Sequence, residues 1–242
     1  MTWLRCAFPR PGATTRLFCL AHAGGSANAY RAWSELLPAS VELHATQLPG
    51  RADRFTEPLP DDMDALADEV TGSMLPLLDR RFALFGHSMG ATLAYEVTRR
   101  LEARGIAPAQ LFVSGARAPH DPRDRPAISE YDDDRFVAEL ARLGGTEVEI
   151  LSHRAMRELV LPYVRADFRL VEAYRHRPGP PLHTPISALV GDADPVVTPV
   201  QAKSWEALTS SGFSLTVFPG DHFYLQPRRA PVVEEIARTL MG

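Results

Sequence analysis

An α/β protein with a mainly parallel central sheet and helices on both faces is predicted by two observations. Short apolar runs alternate with helix-length amphipathic stretches along the chain. The runs are continuously apolar and bounded by Gly or Pro, as expected of strands covered on both sides. At 242 residues the chain has an ordinary length for one such domain. The strands are read at 17–21 (LFCLA), 41–45, 82–85 (FALF), 111–114 (LFVS), 186–190 (ISALV) and 215–218 (LTVF). Helical patterns occupy about 28–37, 63–79, 89–104, 200–210 and 230–241. From 119 to 185 this rhythm breaks. A turn-rich opening (PHDPRDRP) leads into helical patterns at about 133–143 and 153–176. The second places Met156, Leu159, Val160, Tyr163, Val164 and Phe168 at helical spacing, and Pro162 inside it predicts a kink or break. A helical insertion between two core strands suggests a lid over a site.

Composition excludes several classes. Hydrophobic residues are 45% and charged residues 23% of the chain, the globular norm rather than that of a disordered chain. The 26 basic against 30 acidic residues leave a net charge of −4, which argues against a nucleic-acid binder. No apolar run is long enough to cross a bilayer, and the amino terminus carries no secretory signal. A soluble, cytoplasmic protein without a membrane partner is therefore expected. Cys6 and Cys19 suit two reduced, packed thiols and show no metal spacing. No motif for a metal or redox cofactor appears, so none is expected.

The sharpest motif is Gly86-His87-Ser88-Met89-Gly90, a G-x-S-x-G nucleophile elbow. A strand precedes it and a helix follows, which is the setting the motif requires. The turn is tight, the serine backbone is strained, and glycines on either side let strand and helix approach. Ser88 then needs a base. In the hydrolase fold that carries this elbow, the acid and then the histidine follow the serine in the chain. Of the later histidines, His120, His153, His176 and His183 lie in the 119–185 interval. Only His222 directly follows a core strand. His87 is expected to pack or hydrogen-bond under the elbow. The acid should lie in Gly191-Asp192-Ala193-Asp194-Pro195. Both aspartates are candidates, and Asp194, further from the strand end, is better placed to reach the far side of His222. Asp221 is expected to be a turn residue. Oxyanion donors are read as the N–H groups of Met89 and of Ala23, in the His22-Ala23-Gly24-Gly25 loop.

With these pieces in place the chain resembles the stand-alone type II thioesterases of polyketide and non-ribosomal peptide synthesis. Medium-chain fatty acyl carrier-protein thioesterases belong to the same group. The resemblance runs through His22-Ala23-Gly24-Gly25-Ser26, Gln47-Leu48-Pro49-Gly50-Arg51, the elbow with Ala91, Gly191 to Pro195, and Gly220-Asp221-His222-Phe223. It implies one α/β-hydrolase domain over 1–242 with a mobile helical lid at about 119–185. It also implies hydrolysis of acyl groups from the phosphopantetheine arm of acyl or peptidyl carrier proteins, clearing stalled or misprimed units of a synthase. Ser88, Asp194 and His222 would then be the triad, with Ala23 and Met89 at the oxyanion hole. A general carboxylesterase of the same fold and a catalytically silent synthase-binding partner are the alternatives. The short amino-terminal segment suggests that the first strands of a full hydrolase sheet are missing. Because carrier proteins are acidic, Arg51, Arg54, Arg117, Arg123 and Arg125 are candidates for a basic approach surface.

Overall fold

A computed structural model describes residues 3–122, 126–144, 151 and 153–242. Among these, seven strands form one sheet in the order β1-β3-β2-β4-β5-β6-β7. The strands are β1 (Leu4–Arg5), β2 (Thr15–Leu20), β3 (Val41–Thr46), β4 (Arg81–His87), β5 (Gln110–Ser114), β6 (Ile186–Gly191) and β7 (Phe213–Phe218). All six predicted strands are present and run parallel to one another. The addition is β1, whose Leu4 and Arg5 pair antiparallel with Thr46 and Ala45. A strand of two residues is too short to leave a periodic signal in sequence.

Side chains along the central strands alternate between two cores. Phe18, Leu20, Leu84, Leu111 and Val113 face one layer, with α2 (Met63–Met74) and α3 (Met89–Glu102) packed on it. Leu17, Cys19, Ala83, Phe85 and Phe112 face the other, against α1 (Trp33–Leu36) and α7 (Arg229–Met241). The period-two geometry of a strand thus explains why the runs read as continuously apolar. Each fully buried Leu or Phe contributes roughly 1.5–3 kcal/mol relative to exposure.

Helix lengths differ from expectation where local chemistry intervenes. The 28–37 pattern is a 3-10 turn at Ala27–Tyr30 followed by the short α1. Residues three apart eclipse in a 3-10 turn, and here Tyr30 and Trp33 meet edge to face at 5.1 Å. The 63–79 pattern stops being α-helical at Met74, because Pro76 has no N–H to continue the ladder. The 200–210 pattern divides into α6 (Pro199–Ala202) and a 3-10 stretch, Lys203–Leu208.

Between β5 and β6 the chain forms α4 (Asp133–Leu143) and α5 (Arg154–Ala173). Of the kink or break expected at Pro162, the break does not occur, and α5 runs through it. The carbonyl that Pro162 cannot bond belongs to Glu158, an exposed residue whose carbonyl water can satisfy. Of the helically spaced residues read in sequence, Val164 is buried and Val160, Tyr163 and Phe168 pack half-buried beside it. Leu161, Val164, Asp167 and Leu170 are buried, whereas Met156 and Leu159 are exposed. Phe136, Leu151, Leu161 and Val164 form a small core of their own, while Leu170 joins the main core.

Candidate active site

The elbow lies at the end of β4, in the middle of the sheet. Ser88 has φ 54° and ψ −117°, a strained conformation for a non-glycine residue. Its N–H donates to the Ser114 carbonyl of β5 at 2.8 Å, which anchors the turn. The flanking glycines are required by space. A Cβ on Gly86 would lie 2.0 Å from the Gly90 carbonyl oxygen, and one on Gly90 would lie 2.1 Å from the Leu20 carbonyl oxygen. Helix α3 begins at Met89, so its positive end points at the serine.

His222 sits in the loop after β7 and is buried. Its Nδ1 lies 2.9 Å from Asp194 Oδ2, and the Asp194 side chain is fully buried. The other oxygen of Asp194 accepts from the N–H groups of Val196 and Val197 at 2.7 and 3.3 Å. Three atoms thereby fix the carboxylate. Asp192 does a different job: its Oδ1 accepts from the Gly220 N–H at 2.9 Å and ties the two loops together. Asp221 accepts from the Phe223 N–H at 2.8 Å within its own turn.

Ser88, His22, Ala23, His222 and Phe223 line one cleft with Val160, Val164 and Phe168 of α5. The cleft walls are apolar toward α5 and polar around the serine, the pattern of a small-molecule site. With Nδ1 engaged by Asp194, the Nε2 of His222 is the nitrogen available for proton transfer. Met89 is buried at the first turn of α3, and Ala23 borders the cleft. Gly24 supports the Ala23 loop with φ +84°, and its N–H donates to Asp167 Oδ2 at 2.8 Å.

His87 lies beneath this machinery. Its Nδ1 is 2.9 Å from Ser114 Oγ, which is 2.7 Å from the Tyr224 hydroxyl. Its ring is 4.9 Å from that of His222. Burial, reinforced by the neighbouring His222 and His22 rings, holds the His87 imidazole well below its ordinary pKa. It is neutral at physiological pH and packs as a ring. The other histidines stand elsewhere. His176 Nε2 is 3.2 Å from the Tyr95 hydroxyl, His120 packs on His176, His153 caps α5, and the His183 backbone N–H donates to Glu102.

Two arginines expected at the surface are buried instead. Arg51 and Arg54 are 2% and 5% exposed. Arg51 forms a bidentate ion pair with Asp167, with Nη2 2.8 Å from Oδ1, and lies 4.7 Å from the Tyr163 ring. Arg54 pairs with Glu57 at 3.0 Å and lies 4.0 Å from the Trp3 ring. Each guanidinium has a carboxylate and an aromatic partner inside the fold, so neither forms an approach surface. Arg117 is half-buried, and Arg123 and Arg125 lie outside the described residues. Asp167 was not singled out by sequence. Its signal was an acid three residues after Val164, on the buried face of α5.

Among the described residues, Cys6, Glu42 and His44 bring metal-ligating atoms within 4.8 Å of one another. Glu42 already accepts from Arg16 at 3.0 Å and from the Arg10 N–H at 2.7 Å. The Arg16 guanidinium supplies the positive charge that a cation would otherwise bring. None of the described helices is long and apolar enough to cross a membrane.

Comparison with known proteins identifies the family. The thioesterase domain family model matches residues 15–241. Thioesterase PikA5 of Streptomyces venezuelae is 41% identical, over 99% of this chain and 85% of that protein. The solved type II thioesterase BorB from the borrelidin biosynthetic cluster is 40% identical. It superposes with a TM-score of 0.88 over 99% of this chain and 96% of its own. YbtT, a type II thioesterase from the yersiniabactin non-ribosomal peptide/polyketide pathway, is 34% identical with a TM-score of 0.88, covering 98% of both chains. Matched almost from end to end, this chain belongs to the thioesterase domain family.

Proposed function

We propose that this protein is a stand-alone serine thioesterase that removes acyl groups from the phosphopantetheine arm of acyl or peptidyl carrier proteins, serving a polyketide or non-ribosomal peptide synthase. The observation that carries the chemistry is that His222, paired with the buried Asp194, borders the same cleft as a strained Ser88. The synthase assignment is supported by likeness to BorB and YbtT, which come from such pathways.

In this reading Ser88 Oγ attacks the thioester carbonyl while His222 Nε2 takes its proton. Asp194 holds the imidazole in the Nε2-accepting tautomer and stabilises the imidazolium. The oxyanion is received by the N–H groups of Met89 and Ala23, each worth about 2.7–4 kcal/mol in the transition state. The C–S bond then breaks, and the imidazolium returns the proton to the departing sulfur. Water, deprotonated by the same imidazole, attacks the acyl-serine carbonyl; the Ser88 Oγ–C bond breaks, the imidazolium returns the proton to Oγ, and the acid departs. Every proton moves through side chains of this chain. The helices between β5 and β6 act as a lid, and Val160, Val164 and Phe168 offer an apolar wall to the acyl chain. The whole chain is read as one hydrolase domain working in the cytoplasm.

The test is hydrolysis of an acyl carrier-protein thioester by wild type and by Ser88→Ala. Removal of the nucleophile should lower kcat by about 10³-fold or more. An unchanged rate in the variant would overturn the assignment. A matched oxygen ester assayed in parallel separates a thioesterase from a general esterase. No turnover of either ester by the wild type would point to a silent synthase-binding protein.

A further inference from the structure

We infer that Asp167 and Arg51 are positioning residues for the oxyanion hole, fastening the Ala23–Gly24 loop to the helix that walls the acyl pocket. The inference rests on the reading of Ala23 as an oxyanion donor. Four observations carry it. Asp167 lies on α5, its side chain is fully buried, and its Oδ2 accepts from the Gly24 N–H at 2.8 Å. Gly24 directly follows Ala23, so this bond sets the plane of the peptide next to the donor. Arg51 holds the carboxylate through a bidentate pair and also donates to the Gly25 carbonyl at 3.2 Å. The guanidinium therefore grips both the loop and the carboxylate that holds the loop. Finally, Val164 and Phe168 flank Asp167 on the same helix and line the cleft. One helix thus carries the wall that the acyl chain touches and the anchor of the amide that its carbonyl oxygen would meet.

The position of the pair favours this role over simple stabilisation. A buried ion pair is weak evidence for stability, since well-packed apolar residues of similar size often replace one without loss. Here the carboxylate makes a third bond to a backbone amide at the site, which an apolar substitute cannot make.

The experiment uses that asymmetry. The double variant Arg51→Met/Asp167→Leu removes both charges together, so no buried charge is left unpaired. Asp167→Asn keeps an oxygen for the Gly24 N–H but loses half of the fork to Arg51. Folding is checked by melting temperature, and the active fraction by titration of Ser88 with a fluorophosphonate. Per active site, the double variant should lose kcat by about 10²-fold with little change in KM, the scale of an ~1 Å misplacement or a lost oxyanion donor. Asp167→Asn should lose less. Affinity for an acyl trifluoromethyl ketone, which forms a tetrahedral oxyanion on Ser88, should fall in parallel with kcat/KM. A double variant with wild-type kcat, or one whose kcat falls while ketone affinity holds, overturns the inference. Ser88→Ala run beside them distinguishes the two levels: unimpaired turnover there overturns the serine mechanism itself.

Discussion

Adding one methyl group at Gly90 should disable the elbow while leaving most of the fold in place. An alanine Cβ at this position would sit 2.1 Å from the Leu20 carbonyl oxygen, 2.6 Å from its carbon and 2.7 Å from the Ala21 carbonyl oxygen. All three atoms are backbone of the strand end that leads into His22 and Ala23, so no rotamer change relieves the clash. Ordinary contact begins at 3.4 Å. The start of α3 must therefore move from β2 by about 1.3 Å, the difference between 3.4 and 2.1 Å. Overpacking of this kind costs about 1–3 kcal/mol of stability. Its effect on chemistry is larger, because the shift acts on Met89 and Ser88 on one side and the Ala23 loop on the other. A displacement of ~1 Å between reacting groups costs about 10²-fold in rate. The assay is kcat on an acyl carrier thioester together with thermal unfolding of Gly90→Ala. Gly72→Ala is the control. Gly72 is an exposed residue of α2 with nothing within 4 Å of the added Cβ. There alanine should stabilise by up to ~1 kcal/mol and leave kcat unchanged. Unchanged kcat and melting temperature in Gly90→Ala would refute the steric argument.

The two aspartates after β6 should separate cleanly. Asp194→Asn should lower kcat by about 10³–10⁴-fold by losing the carboxylate on His222 Nδ1. Asp192→Asn keeps an oxygen for the Gly220 N–H and should leave kcat near wild type. Steady-state kinetics decides, and the reverse order would reassign the acid. A third expectation concerns acid stability. Burial raises the pKa of Glu42, but hydrogen bonds from His44, the Arg10 N–H and Arg16 outweigh it and bring the carboxyl from 4.5 to about 2. Being lowered in the fold, it contributes stability that is complete above about 4.5 and is lost as pH falls toward 2. The contribution is at most about 3 kcal/mol. Urea midpoints between pH 6 and 2 should show Glu42→Gln losing stability at the upper end and converging on wild type at the lower. A constant difference across that range would contradict it.

Legibility in the sequence followed the range of the interactions. The strands could be read because burial on both faces leaves compact apolar runs, and the elbow because its glycines are required by local geometry. Asp194 could be favoured over Asp192 because two residues of loop decide how far an acid reaches. What sequence left hidden depends on partners distant in the chain. Arg51 looks like a solvated cation until Asp167, 116 positions away, is folded onto it. Leu4 and Arg5 become a strand only because β3 presents an open edge. Met156 and Leu159 continue the apolar spacing of α5 in sequence yet stay exposed, while the fold turns Asp167 inward. A buried acid reads as surface until its counter-ion is known.

The way the chain begins has a consequence for association. The outer rim of β3 would otherwise present unpaired amides and carbonyls to any passing strand. Leu4 and Arg5 cover its far end. At the near end the Arg10 N–H donates to Glu42, and the Arg10 guanidinium donates to the carbonyls of Leu37, Pro38 and Val41. Leu4, Arg5 and Arg10 thus cover a border that would otherwise be sticky, using a two-residue strand and one arginine plug. That side of the molecule is closed to sheet-to-sheet polymerisation, and trimming those residues would uncover an adhesive seam before it disturbed the serine.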